Sequence, residues 1–251
     1  MANGFEKHGI DHLSASSLNL WTNDPALWVM QYLHGKRTPM GPAAWRGICI
    51  EDALVQVKLG KMSLTDAYDY AEKKFDTRYM FGDQDSTRER ANLRPMLAEA
   101  DLALTEFGKP EFPEEGQEKV SITARGDDWS IPVIGYLDLV FPQYGVVIDL
   151  KTTTRIPSVM SPEHQLQRAI YARAKGGNMA VKFLYVSGKK HAILEDGDPA
   201  QILAQAKIQI GRMEAFLRHT DKDTARQIVP VNPNSYYWRG AEDLRKEFYG
   251  V

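Results

Sequence analysis

The chain has 251 residues, of which 43% are apolar and 25% charged, a composition typical of a soluble globular protein with a full core. The net charge of -2 excludes a globally basic surface, so contact with a polyanion needs a local basic patch or bound metal ions. The single cysteine, Cys49, excludes an internal disulfide and a four-cysteine zinc or iron–sulfur site, and predicts a reducing, cytoplasmic setting. No apolar run approaches the roughly 20 residues that span a bilayer, and the N-terminus lacks the pattern of a signal peptide.

The first part of the chain is predicted to be helical. A serine, Ser14 or Ser16, can cap a short first helix, and Asp24-Pro25 begins a second one. Residues 43–59 form an amphipathic helix that ends at a glycine, and residues 61–108 form a helical insertion dense in charge. The proline- and glutamate-rich residues 109–117 are a linker at which the chain changes from helix to sheet.

The rest of the chain is predicted to contain strands and helices. β-Branched runs between turn residues indicate strands, and a serine or aspartate before a proline indicates the start of a helix. Strands are expected at 118–125, 133–141, 146–151, 180–186 and 191–194, and turns at 126–128, 142–145 and 188–189. Helices are expected at 162–175 and from 199, with a C-terminal helical tail from about 198. This order predicts one α/β domain over residues 1–251, in which helices flank a central mixed β-sheet.

Two aspartates and a lysine interrupt the two central strands. Asp138 lies in the first strand, whereas Asp149 and Lys151 share one face of the second because side chains alternate along a strand. An ionised carboxylate among apolar neighbours is unfavourable unless it is paired or binds a cation. An Asp-x-Lys pair alone is more typical of an edge-strand ion pair. With Asp138 on the neighbouring strand as well, the pattern supports two interpretations about equally: an ion pair, or a cation site with a positive partner beside it.

The helix after these strands carries a further polar pair. Gln167 and Tyr171 are four residues apart and share a face, with His164 one turn earlier. In chain order, the motif residues are Glu51, Gly135-x-x-Asp138, Asp149-x-Lys151 and Gln167-x-x-x-Tyr171. This pattern resembles the PD-(D/E)xK nuclease superfamily and, within it, the RecB-like and lambda-exonuclease-like branch. The resemblance extends to the Leu-Ser-Ala-Ser segment at 13–16 and to Arg46-Gly47. The helical insertion and the C-terminal third contain no residues that are diagnostic of the family.

The resemblance implies a restriction-endonuclease-like core with a metal-dependent active site. The metal-binding oxygens would belong to Glu51, Asp138, Asp149 and the backbone carbonyl of Leu150. Hard oxygen ligands of this kind select Mg²⁺, for which Mn²⁺ is expected to substitute. Lys151 would position or activate the attacking water, and Gln167 and Tyr171 would lie against the active site and the DNA backbone. An iron–sulfur cluster, found in some relatives, is excluded because Asp24-Pro25 occupies the place of its first cysteine.

The function implied is a DNA exonuclease that acts on linear ends, double- or single-stranded, in recombination, repair or phage DNA processing. The expected setting is the cytoplasm of a bacterial or phage-infected cell, with no membrane contact and with a recombinase or single-strand annealing protein as partner. Candidate DNA contacts are Ser16, Arg46, Thr152, Thr153, Arg155, His164 and Arg168. A structure-specific or single-strand endonuclease and a non-catalytic DNA-binding protein on the same fold are the alternatives; the oligomeric state is left open.

Overall fold

The computed structural model describes residues 3–79, 83–111, 117–122 and 129–251. Its N-terminal part is mostly helical, as predicted, and contains α1 (Gly4–Lys7), α2 (Ala15–Asn23), α3 (Pro25–Trp28), α4 (Pro42–Lys58), α5 (Leu64–Tyr79), α6 (Gln84–Ala91) and α7 (Leu93–Ala103). Helix α3 continues as a π-helical turn over Val29–Leu33, and a 3-10 turn over Thr105–Phe107 follows α7. Helix α1 was not predicted, because four residues are too few to show a helical period.

Side-chain caps explain where α2 and α3 begin. Ser14 Oγ accepts a hydrogen bond of 3.1 Å from the Ser17 N–H, so the capping serine is Ser14 rather than Ser16. The Asp24 carboxylate accepts a hydrogen bond of 2.9 Å from the Leu27 N–H, and Pro25 occupies the first helical position. The prediction that a second helix begins at Asp24-Pro25 is therefore confirmed. Both starts are therefore determined locally, by residues within three positions of the cap.

The strands of the described residues form two sheets. The first has the order β1-β3-β2, made of Leu13–Ser14, Val133–Leu137 and Glu118–Ile122. The second has the order β4-β5-β6-β7, made of Leu139–Phe141, Val146–Thr152, Ala180–Val186 and His191–Leu194. The pairs β1–β3 and β5–β6 are parallel and the remaining pairs are antiparallel. The arrangement is mixed, as predicted, but it is divided between two sheets.

The prediction of one strand over 133–141 is wrong, because the chain bends at Asp138. Strand β3, before the bend, pairs with β1 and β2, whereas β4, after the bend, pairs with β5. The Asp138 carboxylate accepts a hydrogen bond of 2.9 Å from the Leu150 N–H in β5, so the side chain contacts the second sheet where the backbone changes partner. The predicted strand at 118–125 ends at Ile122 in the described residues, and the predicted turn at 126–128 lies outside them.

A helix connects the two parallel strands of the second sheet. Helix α8 (Pro162–Ala174) follows β5, is capped by Ser161 and leads into β6, which is the usual way to join parallel neighbours. The helices that follow β7 are α9 (Pro199–His219), α10 (Lys222–Ile228) and α11 (Glu242–Tyr249). The predictions of strands at 180–186 and 191–194 and of helices at 162–175 and from 199 are confirmed.

The second sheet is covered by helices on both faces, and each face has its own apolar cluster. Val147, Phe183 and Tyr185 pack with residues of α2, α8 and α9, whereas Ile148 and Leu184 pack with residues of α4, α5 and α7. Asp149 and Lys151 follow Val147 on the first face, because side chains alternate along β5. Across the described ranges, none of the helices combines the length and the apolar character that a bilayer span requires.

Candidate active site

An open cavity of about 860 Å³ lies between α2, α8, the edge of β3 and the end of β5. The predicted site residues on its walls are Ser16, Asp138, Lys151, His164, Gln167 and Tyr171. This volume lies within the range of roughly 300–1,000 Å³ for ligand pockets. The cavity therefore gathers side chains from both sheets and from two helices that are far apart in sequence.

Asp138 is buried at the junction of the two sheets. Its Oδ2 accepts the hydrogen bond from the Leu150 N–H, and its Oδ1 accepts a hydrogen bond of 3.1 Å from Gln117 Nε2. Burial, followed by the charges of Asp149 and Glu51, raises the pKa of Asp138 well above its ordinary value. The backbone of Leu150, whose carbonyl is predicted to be a metal ligand, thus lies beside the Asp138 carboxylate.

Asp149 is fully buried on β5 and is held by two partners. Gln167 Nε2 donates a hydrogen bond of 2.8 Å to Asp149 Oδ1, and the Lys151 ammonium forms an ion pair with Oδ2. Burial raises the pKa of Asp149 even though the Lys151 charge opposes the shift. For Lys151 itself, burial disfavours the ammonium, but Asp149 and Asp138 outweigh it and raise the pKa. The lysine is therefore charged and lies next to two acidic groups.

Glu51 reaches the site from α4 and is joined to Asp138 by Gln117. The Gln117 amide donates to Glu51 Oε1 as well as to Asp138 Oδ1, so one side chain bridges carboxylates from different elements. Burial, then the Asp149 charge, raises the pKa of Glu51 to about 7. Glu51 thus shares the Gln117 amide with Asp138 and lies close enough to Asp149 for the charge of Asp149 to act on it.

Gln117 also contacts the acids of the site, although the sequence predicts it to lie in the linker at 109–117. Glu118 pairs with Leu137 in the antiparallel β2–β3 register, so the residue before β2 comes opposite the residue after β3, which is Asp138. A register of this kind depends on long-range pairing and leaves no local signal.

The polar pair on α8, Gln167 and Tyr171, lies on the cavity wall, and Gln167 holds Asp149 by the hydrogen bond described above. Gln167 Nε2 also lies 2.8 Å from the Tyr171 hydroxyl, and Tyr171 is buried against Gly135 of β3. A Cβ atom at Gly135 would overlap the tyrosine ring, with the ring atoms Cδ1 and Cζ at 3.1 and 3.2 Å. Glycine at this position therefore permits the close approach of α8 to β3.

His164 lines the cavity in its neutral form. Its Nδ1 is 2.6 Å from the Tyr185 hydroxyl, and burial together with the Lys151 charge lowers its pKa to about 4. A neutral imidazole cannot pair with a phosphate as a cation does, although it can still form a hydrogen bond.

The remaining candidate DNA contacts fall into two groups. Ser16 is exposed at the cavity, and Thr152, Thr153 and Arg155 line a second cavity of about 350 Å³, which shares Lys151 and His164 with the first. Arg46 and Arg168 are instead buried and engaged by the protein, which is a correction to their expected role. Arg46 pairs with Glu89 and donates to Thr152, and Arg168 donates to the Val181 carbonyl at 2.9 Å. Buried guanidinium groups with internal acceptors are not available to a DNA backbone.

The side chains present fit a hard divalent cation in their chemistry. Three acidic groups share one region, and burial raises the pKa of each, so a bound cation would stabilise their ionised forms. Asp149 Oδ2 is buried, and apart from its ion pair with Lys151 it accepts no hydrogen bond. Within the described ranges, no three His, Cys, Asp or Glu side chains already converge on a point as a metal-ligand set. Gln117 donates to Glu51 and Asp138, and the Lys151 ammonium pairs with Asp149.

Comparison with known proteins identifies the family of this chain. A model of the PD-(D/E)XK nuclease superfamily matches residues 12–236, which include each acidic and basic residue of the cavity. The chain belongs to this superfamily, whose members are usually nucleases and generally use divalent metal ions. The solved structure described as "Crystal structure of SSO0001" covers 65% of this chain and 74% of its own, at 13% identity and a TM-score of 0.31. Comparison with curated proteins finds no match.

Proposed function

We propose that the protein is a Mg²⁺-dependent deoxyribonuclease that hydrolyses phosphodiester bonds from DNA ends. The observation that carries the proposal is that Asp138 and Lys151 line one cavity, with Asp149 paired to Lys151 and Glu51 joined to Asp138 through Gln117. A binding protein has no need for a partly buried lysine beside three acids whose burial is unfavourable without a cation.

Each residue has a role that follows from its position. Glu51, Asp138, Asp149 and the Leu150 carbonyl would hold the cation. Bound there, the ion would supply positive charge to the phosphate and lower the pKa of a water. The Lys151 ammonium can orient the attacking water and donate to a phosphate oxygen, because it is charged and borders the cavity. Gln167 and Tyr171 hold Asp149 in place from α8.

We place the chain in the RecB-like and lambda-exonuclease-like branch of the superfamily. The support is the glutamate on an early helix, at Glu51, together with the Gln167-x-x-x-Tyr171 pair against the site. From that branch we propose a setting in DNA recombination, repair or phage DNA processing, with a recombinase or single-strand annealing protein as partner. This proposal is tested by adding such a partner to the purified protein and measuring whether the rate of DNA digestion changes.

Digestion of linear and closed-circular DNA in parallel with Mg²⁺ tests the activity. Loss of linear DNA alone supports the exonuclease, whereas cutting of the circle identifies an endonuclease of the same chemistry. Asp149→Ala and Lys151→Ala are expected to abolish cleavage, by at least about 10²-fold, while the protein stays folded. Lys189→Ala, at an exposed lysine in the β6–β7 turn, is the matched control and should leave the rate unchanged. Wild-type rates in either site variant would contradict the assignment.

A further inference from the structure

One face of the first sheet is open to solvent and leads to the cavity. In the β2–β3 pairing, Lys119 lies directly opposite Tyr136, so their side chains emerge on the same face. Both residues are exposed, whereas Val120 and Leu137, which point to the other face, are buried. The open face thus presents an aromatic ring and a cation side by side.

Tyr136 connects this face with the proposed active site. It lies two residues before Asp138 and lines the same cavity as Lys151. Its side chain is 47% exposed, and among the described residues its ring contacts no other aromatic ring or cation. Tyr32 also lines the cavity but is already engaged: its ring stacks on Trp28 at 5.3 Å and lies under Arg37 at 4.8 Å. Tyr237, also on the cavity wall, packs edge-to-face on Tyr236 at 6.3 Å. Among the described residues, Tyr136 therefore presents to the cavity an exposed ring that no other ring or cation covers.

Lys119 supplies positive charge next to that ring. Among the described residues it has no ion-pair partner, whereas its neighbour Glu118 pairs with Lys175 at 2.9 Å. A lysine with no ion-pair partner in the described part of the chain, beside an exposed tyrosine, has the chemistry by which proteins bind unpaired nucleotides, with the base stacked on the ring and the phosphate near the cation.

We propose that Tyr136 and Lys119 form a binding site for an unpaired nucleotide of the substrate strand, next to the phosphate that is cleaved. The inference rests on the proposed function and adds the class of substrate: a strand that is single-stranded where it enters the cavity. A base inside a duplex has both faces covered by its neighbours, so it cannot stack on Tyr136. Tyr136 receives the base and Lys119 contacts the adjoining phosphate.

Binding measured in EDTA, where no metal-dependent cleavage can occur, tests the site separately from the activity. The probes are a fluorescein-labelled 12-nucleotide strand and the matching 12-base-pair duplex, followed by fluorescence anisotropy. Tyr136→Ala should weaken binding of the single strand by about 5- to 150-fold, the range for loss of one stacked base, and leave duplex binding unchanged. Tyr136→Phe keeps the ring and should bind as the wild type does. Tyr144→Ala removes another exposed tyrosine, in the β4–β5 turn, and is the control.

The charge of Lys119 is tested by the salt dependence of single-strand binding. Lys119→Met should reduce the slope of log K against log salt by about 0.7, the value for one phosphate contact on a single strand. Lys189→Met, at the exposed turn lysine, should leave the slope unchanged. Thermal unfolding of each variant checks that the fold is intact.

Three results would overturn the site: no detectable single-strand binding by the wild-type protein, equal weakening of single-strand and duplex binding in Tyr136→Ala, or wild-type binding in that variant. Failure of the proposed function has a different signature, which is Tyr136-dependent binding of the single strand without cleavage of any DNA in Mg²⁺.

Discussion

The backbone N–H of Leu150 donates a hydrogen bond of 2.9 Å to Oδ2 of Asp138, across the boundary between the two sheets. This contact joins the bend after β3 to the strand that carries Asp149 and Lys151. Asp138 therefore has a structural task, as an acceptor for a backbone group, and a proposed chemical task, as a cation ligand. The two tasks can be separated by mutation.

Asp138→Asn is expected to raise the stability of the metal-free protein and to abolish binding of divalent cations. The amide oxygen still accepts from Leu150, and the repulsion from Asp149 and Glu51 disappears, which outweighs the loss of the hydrogen bond from Gln117. The gain in the free energy of unfolding should be about 0.5–2 kcal/mol, in the range seen when function and stability conflict. Urea unfolding in EDTA and calorimetric titration with Mn²⁺ measure the two effects.

Asp138→Ala is the companion variant, since it leaves the buried Leu150 N–H without a partner. It should be less stable than Asp138→Asn by about 1–3 kcal/mol, the penalty for an unsatisfied buried donor. A metal-free Asp138→Asn protein less stable than the wild type would contradict the proposed repulsion.

The stability of the metal-free protein should fall as the pH rises from about 4.5 to 7. The pKa of Glu51 is raised to about 7 from its ordinary value of 4.5, so the folded state binds more protons than the unfolded state between these values. The charged groups that act on Glu51 are Asp149, which raises its pKa, and Lys151 and Lys74, which lower it. The raised pKa values of Asp138 and Asp149 act in the same direction.

Thermal unfolding in EDTA at a series of pH values measures this dependence. Glu51→Gln should flatten the curve between pH 5 and 7, and Mn²⁺ binding by the wild type should tighten over the same interval as protons leave the site. An unchanged pH profile in Glu51→Gln would show that this carboxyl is not the group that titrates.

Gln117→Ala should destabilise the metal-free protein more than the protein saturated with Mg²⁺. Without a cation, the Gln117 amide is a hydrogen-bond donor shared by Glu51 and Asp138; a bound cation would take over that task. The expected loss in EDTA is about 0.5–1.5 kcal/mol, that of an ordinary hydrogen bond. The measurement is the unfolding temperature of both proteins in EDTA and in saturating Mg²⁺, and an equal difference under the two conditions would speak against this role.

Gly135→Ala should destabilise the protein by about 1–3 kcal/mol and lower its activity, because the added methyl group displaces the Tyr171 ring that contacts Gln167. The effect should shrink in a Tyr171→Ala background, which removes the ring. Gly211→Ala, on α9 with open space around its Cβ position, is the control and should be neutral or slightly stabilising. Urea unfolding of the four combinations at 135 and 171 measures the coupling, and additive effects would contradict the contact.

The sequence by itself determined the features that depend on neighbours along the chain. The cap at Ser161, the strands at 180–186 and 191–194, and the common face of Asp149 and Lys151 follow from residues within a few positions of each other. The motif residues were also readable, because their types and spacing in the chain carry the family pattern.

Only the tertiary structure decided which of these groups meet and which are withdrawn from the surface. Gln117 enters the site through the β2–β3 register and contacts Glu51, which is 66 residues away, while Asp138 ends one strand and leads into another sheet. Arg46 and Arg168 have the composition of DNA contacts, but the fold buries them among acceptors of their own chain. The physical reason is that strand register and burial depend on pairings between distant segments, and local sequence patterns carry no record of those pairings.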